Sequence, residues 1–213
     1  MMKIEFLLGD GFTEIKQALN TEILNNYITE EYLEYKMLLK IKKAFKFNIP
    51  KSVKLEIFFK KEKFDALKKE IEKLKFNKNY IPNEYSFLIS NVGSEFEMFF
   101  NSEEFNSYLG FLIDRSKFKT KMNTLLLEHK DYSLLNDHEK AITFFEVNFF
   151  LSNFKEDFGG YFCYMRDDKE LLRVIPSENS LTLVHLQKVN RFIKYINVNS
   201  GNKKICFVNC TIR

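Results

Sequence analysis

From Ala141 to the C-terminus the chain is written in short segments of alternating character separated by turn residues, and nothing else in it constrains the fold as strongly. Thr143, Phe145, Val147, Phe149 and Leu151 alternate with a mixed set that includes Glu146 and Asn148, the pattern of a strand with one fully apolar face. Glu156-Asp157-Phe158-Gly159-Gly160 then makes a turn in which two glycines permit positive φ or a bulge, and Tyr161-Phe162-Cys163-Tyr164 is the returning strand. Asp167 to Glu170 is a further turn, Leu171 to Ile175 a strand and Pro176 to Ser180 a loop. Leu181 to His185, Val189 to Val198 and Lys204 to Ile212 complete the set. Short strands at close spacing with turn chemistry between them predict an antiparallel barrel or jelly roll.

The first 115 residues read differently. Leu33, Met37, Ile41 and Phe45 recur at four-residue steps, and Phe64, Leu67, Ile71 and Leu74 at threes and fours, each set forming one apolar helix stripe. Pro50 and Pro82 punctuate the region. Val53 to Phe58 alternates like a half-buried strand, and Tyr85 to Ser90 and Phe96 to Phe100 are further strand candidates. Asn101 with Glu104 resembles a capping box ahead of a short helix whose inward face is Phe105, Leu109 and Leu112. The expectation is therefore a mainly β protein with α elaboration (α+β), one domain over 1–213, with 1–115 a helix-rich support region and 125–212 the β core.

Composition narrows the function classes. The chain of 213 residues is 45% hydrophobic, enough for a substantial core, and its 33 basic and 29 acidic residues are interspersed, which argues against a nucleic-acid footprint. No apolar run approaches the ~20 residues needed to cross a bilayer, and Met1-Met2-Lys3-Ile4-Glu5 lacks a signal peptide's apolar core. Cys163, Cys206 and Cys210 are an odd count that fits reduced thiols, so a cytoplasmic protein without membrane or nucleic-acid partners is expected.

Just ahead of the β run stands Glu128-His129-Lys130-Asp131. In an extended segment His129 and Asp131 would share a face, and an imidazole nitrogen and a carboxylate oxygen could converge on one ion. Such a pair suits a non-haem Fe(II) site completed by a second, distant histidine.

The order of these pieces resembles the prolyl-4-hydroxylase-like branch of the 2-oxoglutarate and Fe(II)-dependent oxygenases. The matching pieces are His129-Lys130-Asp131, the strand Phe144 to Leu151, Glu156 to Tyr161, Val174-Ile175-Pro176 with Asn179 to Val184, and Asn199 to Lys204 leading into the last strand. The resemblance covers roughly Leu125 to Ile212. It implies a double-stranded β-helix core with the N-terminal helices packed outside, Fe(II) and 2-oxoglutarate as cofactors, and a small-molecule or peptide substrate. It also implies His129 and Asp131 as metal ligands and Lys204 as the residue for the cosubstrate's distal carboxylate, with Lys203 one register away and Cys206 where the family carries a hydroxyl.

The departure lies at the distal histidine. Matching Val189, Ile193 and Ile196 to the family's apolar positions puts Arg191 in its place, and a guanidinium offers no lone pair to a metal. His138 and His185 are the other histidines. Three arrangements remain open: iron held by His129 and Asp131 with an unconventional third ligand, Arg191 displacing the metal by pairing with Asp131, or His185 completing the triad. The first and third describe a dioxygenase hydroxylating a second substrate. The second describes an inactive module that uses Arg191, Lys204, Tyr132 and Tyr164 to hold an acidic or sugar-like ligand.

Overall fold

The computed structural model describes residues 21–134 and 144–213. Five helices are described: α1 (Glu22–Tyr27), α2 (Tyr35–Phe47), α3 (Lys61–Ile71), α4 (Ser94–Asn101) and α5 (Glu103–Ile113). The strands are β1 (Ser52–Leu55), β2 (Asn77–Ile81), β3 (Tyr85–Ser90), β4 (Thr120–Leu127), β5 (Tyr132–Ser133) and β6 (Phe145–Phe150). They continue as β7 (Phe162–Arg166), β8 (Lys169–Val174), β9 (Ser180–His185), β10 (Asn190–Ile193) and β11 (Ile205–Ile212). None of the described helices is long and apolar enough to cross a membrane.

All pairings between these strands are antiparallel, in the order β1-β9-β6-β11-β4-β3-β5-β10-β7-β8, with β2 on the other edge of β3. Strand β3 pairs with β4 through Leu88 to Ser90 and with β5 through Tyr85 and Ser86, so it hands the sheet from one wall to the other. The walls close on each other where Phe162 of β7 meets Phe150 and Phe207, ring centroids 5.2 and 5.1 Å apart. This is the expected jelly-roll core with helices outside it.

The apolar face of β6 does not line the barrel. Phe145, Val147 and Phe149 belong to the helix-side core with Phe59, Phe64, Phe96 and Phe105, whereas Phe150 belongs to the barrel interior. Five helices need an apolar surface to pack on, and this face of β6 supplies it; each fully buried phenylalanine contributes about 2 kcal/mol. Phe59 stands 4.5 Å from Phe149 by ring centroids. Its backbone is held by Asn179, whose Nδ2 donates to the Phe59 carbonyl at 2.8 Å while Oδ1 accepts from the Phe59 amide at 2.9 Å.

Two local expectations are corrected. Phe96 to Phe100 lies in helix α4, because Phe96, Phe99 and Phe100 repeat at three and four residues and all three are buried. The cap of α5 is Ser102, whose Oγ accepts from the Phe105 amide at 3.1 Å, because Asn101 is consumed as the last residue of α4.

Candidate functional site

The alternate face of β6 looks inward, and it is polar where the other is aromatic. Register sets Asn148 between Thr182 of β9 and Asn209 of β11, and Glu146 between Val184 and Thr211. Across the barrel, Arg191 of β10 pairs in register with Tyr164 of β7. These side chains meet. The Glu146 carboxylate accepts from the Tyr164 hydroxyl at 2.8 Å, from Asn209 Nδ2 at 2.9 Å and from the Arg191 guanidinium. Asn209 Nδ2 also reaches Asn148 Oδ1 at 2.7 Å, and the Arg191 guanidinium lies 6.0 Å from the Phe162 ring centre.

Glu146 is 2% exposed, and Asn148 and Tyr164 are fully buried, so this is an ion pair largely out of water whose carboxylate is satisfied by hydrogen bonds. Burial and the neighbouring Glu146 charge push the Tyr164 phenol well above its ordinary range, keeping it a donor. Thr182, opposite Asn148, has a buried hydroxyl with no hydrogen-bond partner among the described residues.

Arg191 and Tyr164 are the members of this cluster singled out in the sequence; His129, Asp131, Lys203, Lys204, Cys206 and His185 have other surroundings. Glu128 to Asp131 is a tight turn, closed by the Asp131 amide donating to the Glu128 carbonyl at 2.9 Å, with Lys130 at φ +77°. The segment is therefore a chain reversal and not the extended strand in which His129 and Asp131 would share a face. Asp131 is buried as a clasp. Its Oδ1 accepts from Lys78 Nζ and Ser86 Oγ, both at 2.6 Å, and its Oδ2 from the Glu128 amide at 3.0 Å. Ser86 and Lys78 project from the face of the β2–β3 pair opposite to Phe87, which packs against the barrel core.

The turn is tied to the segment after β10: Lys130 and Ile196 exchange one backbone bond at 3.0 Å, and Ile196 and Asp131 another at 3.0 Å. Ile196 is five residues beyond Arg191 in the chain, roughly 16 Å at the rise of an extended strand. Of the arrangements left open, the pairing of Arg191 with Asp131 is not the one seen: Arg191 meets Glu146, and Asp131 meets Lys78.

His129 stands 6.4 Å from the Tyr195 ring, with a buried Nδ1 that has no partner among the described residues. Lys204 pairs with Glu128 at 2.8 Å, and Lys203 lies over the Phe158 ring at 5.1 Å. Cys206 is on the face of β11 opposite to Phe207 and Asn209, where it lines an outer cleft of about 580 Å³ with Leu74, Leu126 and Leu151; burial pushes its thiol up to about 12. His185 stacks on Phe145 at 4.7 Å, on the helix side of β6 and not in the interior. Tyr132 pairs with Ser86 on β5, and His138 lies outside the described residues.

In the sequence Glu146 and Asn148 stand out only as polar members of an alternating strand, and Asn209 not at all. The signal was present, since a carboxylate and amides on the alternate positions of FEVNFF and FVNCTI need partners once both faces are buried.

No family model matches the sequence. The structure is similar to a 2OG-Fe(II) oxygenase family oxidoreductase from Burkholderia pseudomallei, with a TM-score of 0.67 at 7% identity over 82% of this chain and 90% of that one. A prolyl-4-hydroxylase from Pseudomonas putida gives 0.61 at 10% identity, over 83% and 98% of the two chains. A Trichoplax adhaerens prolyl hydroxylase, solved with a hypoxia inducible factor peptide, gives 0.61 at 9% over 85% and 94%.

The chain has the fold of the 2-oxoglutarate and Fe(II)-dependent oxygenases.

Within that oxygenase fold the cofactors can be tested against the residues present. Fe(II) needs several imidazole and carboxylate donors on one face, and among the described residues no three such side chains cluster. The inward carboxylate of β6 is engaged by a cation, and His129 and His185 lie apart from it. The described donor set does not fit iron.

Proposed function

We propose that this chain is an oxygenase-fold module without iron chemistry, which holds an acidic or sugar-like ligand at its barrel mouth and does not turn it over. One observation carries the reading: at the position where the resemblance calls for the distal metal-binding histidine stands Arg191, and its charge is neutralised by Glu146 across the barrel. A guanidinium offers no lone pair to a divalent cation, and this one occupies the only inward carboxylate of β6. Three free thiols and the lack of a membrane-crossing helix among the described residues fit a cytoplasmic setting.

The test is a Mn(II) and Fe(II) titration of the purified chain, with succinate formation from 2-oxoglutarate followed alongside. Millimolar or absent metal affinity with no succinate is expected. Fe(II)-dependent succinate production by the wild-type chain would overturn the proposal and restore the second reading, a dioxygenase acting on a small-molecule or peptide substrate. That second reading draws on the shared fold, whose relatives include an enzyme solved with Fe3+ and alpha ketoglutarate.

A further inference from the structure

Beside the polar end of the barrel, the chain builds a small basic pocket that neither the oxygenase fold nor the Arg191–Glu146 bridge explains. Its volume is about 230 Å³, and it is lined by Pro50, Lys51, Arg166, His185, Gln187 and Lys188. Three permanent cations and an imidazole face a space with no carboxylate in its lining. Lys51, Arg166 and Lys188 make no ion pair among the described residues, and neither do Asp167 and Asp168, which follow Arg166 in an exposed turn.

Backbone bonds hold the walls in place. The His185 amide donates to the Lys51 carbonyl at 2.9 Å, joining the end of β9 to the residue before β1. Arg166 Nε donates to the Lys188 carbonyl at 3.1 Å, joining the end of β7 to the turn in which Lys188 takes φ +58°. That turn is closed by the Val189 amide on the Leu186 carbonyl at 3.1 Å. The cations are thus gathered from three separate segments around one pocket, with no described ion pair to offset their mutual repulsion.

We propose that this pocket binds a phosphate group, either as the free ion or as the terminal monoester of a small molecule. A dianion matches the local charge, and its tetrahedral oxygens suit donors converging from several directions, with the guanidinium still offering its terminal nitrogens. The volume lies below the roughly 300–1,000 Å³ of pockets that enclose drug-sized ligands, so a headgroup fits and a whole cofactor does not. His185 supplies an internal reporter. Its pKa is lowered by burial and then by the charges of Lys51 and Arg115, and Arg166 and Lys188 are the other cations at the pocket, so an anion among them raises it. This inference stands on residues separate from the metal question.

The experiment uses the full chain with inorganic phosphate, sulfate and glycerol 3-phosphate, against sodium chloride at matched ionic strength. Binding is followed by calorimetry and by NMR titration of the His185 imidazole. A saturable response to phosphate and sulfate is expected, with the His185 pKa rising by at least about half a unit. Sulfate, which does not titrate in this range, excludes an effect of phosphate's own protonation. The double substitution Lys51→Gln and Lys188→Gln removes two exposed side chains and should weaken binding about tenfold or more at an unchanged melting temperature. Tighter binding of glycerol 3-phosphate than of the free ion assigns the site to a monoester, and equal binding assigns it to the ion. A response that chloride reproduces, or that survives the double substitution, overturns the proposal.

Discussion

Glu146 and Arg191 can be separated energetically by a double-mutant cycle. With the charges about 4 Å apart and an effective dielectric of about 20, their attraction is roughly 4 kcal/mol, set against the cost of taking a carboxylate that is 2% exposed out of water. Arg191→Ala leaves that carboxylate with only Tyr164 and Asn209 among its described partners, and Glu146→Ala removes the carboxylate from the guanidinium and from the Tyr164 hydroxyl, while Asn209 Nδ2 keeps Asn148 Oδ1. Each single change should cost about 3–4 kcal/mol, the range for breaking a buried pair, trimmed because the Arg191 side chain is 20% exposed. The double variant should also cost about 3–4 kcal/mol, because the lost acceptor of the Tyr164 hydroxyl, the weakened bonding of Asn209 and the lost packing remain. The coupling is then about 3 kcal/mol. The chain has no tryptophan, so urea unfolding is followed by far-UV circular dichroism. Single-variant costs that add to within about 0.5 kcal/mol in the double variant would refute the bridge.

His185, whose pKa is depressed by burial and nearby cations, binds protons more readily in the unfolded chain, so its contribution is complete above its ordinary value of about 6.5 and is lost as pH falls through the folded value. Unfolding between pH 7 and 5 should therefore show acid destabilisation that His185→Phe flattens while keeping the stack on Phe145. Gly159→Ala would set a Cβ 2.0 Å from the Tyr195 carbonyl oxygen at φ +78°, and a loss of roughly 2–4 kcal/mol in urea unfolding is expected; a loss below about 1 kcal/mol would mean the turn can move away. Asn179→Ala should cost about 3 kcal/mol, since it strands the buried amide and carbonyl of Phe59, and faster amide exchange of Phe59 should accompany it.

The parts of the fold legible in the sequence were those in which neighbours in the chain are also neighbours in space. The stripes ending Ile41-Phe45 and Phe64-Leu67-Ile71 became helices α2 and α3, and the turn signals from Glu156 onward fell between real strands. Phe96 to Phe100 misled because a five-residue aromatic cluster satisfies either period, and only burial on three helical positions decides. The inward face of β6 was not legible for a related reason: alternation tells that two faces differ, not which one the helices will cover. Arg191 was found by position, but its partner was not, because Glu146 is 45 residues away and their meeting depends on how two walls close. The local geometry of His129 and Asp131 was not legible, since a positive φ at Lys130 turns an apparent strand pair into a reversal.

Among the described residues the sheet ends on β1 and β8, with β2 as a third edge beside β3. An unpaired strand edge is a template on which another chain can extend the sheet, and antiparallel proteins restrain this with short edges and lysine. All three edges here are short and carry lysine: Lys54 in β1, Lys78 in β2 and Lys169 in β8. Lys78 does this while its ammonium closes the Asp131 clasp, so one side chain both pins the β4–β5 reversal and guards a strand edge against self-association. Neutralising it should therefore be felt in colloidal behaviour as well as in stability.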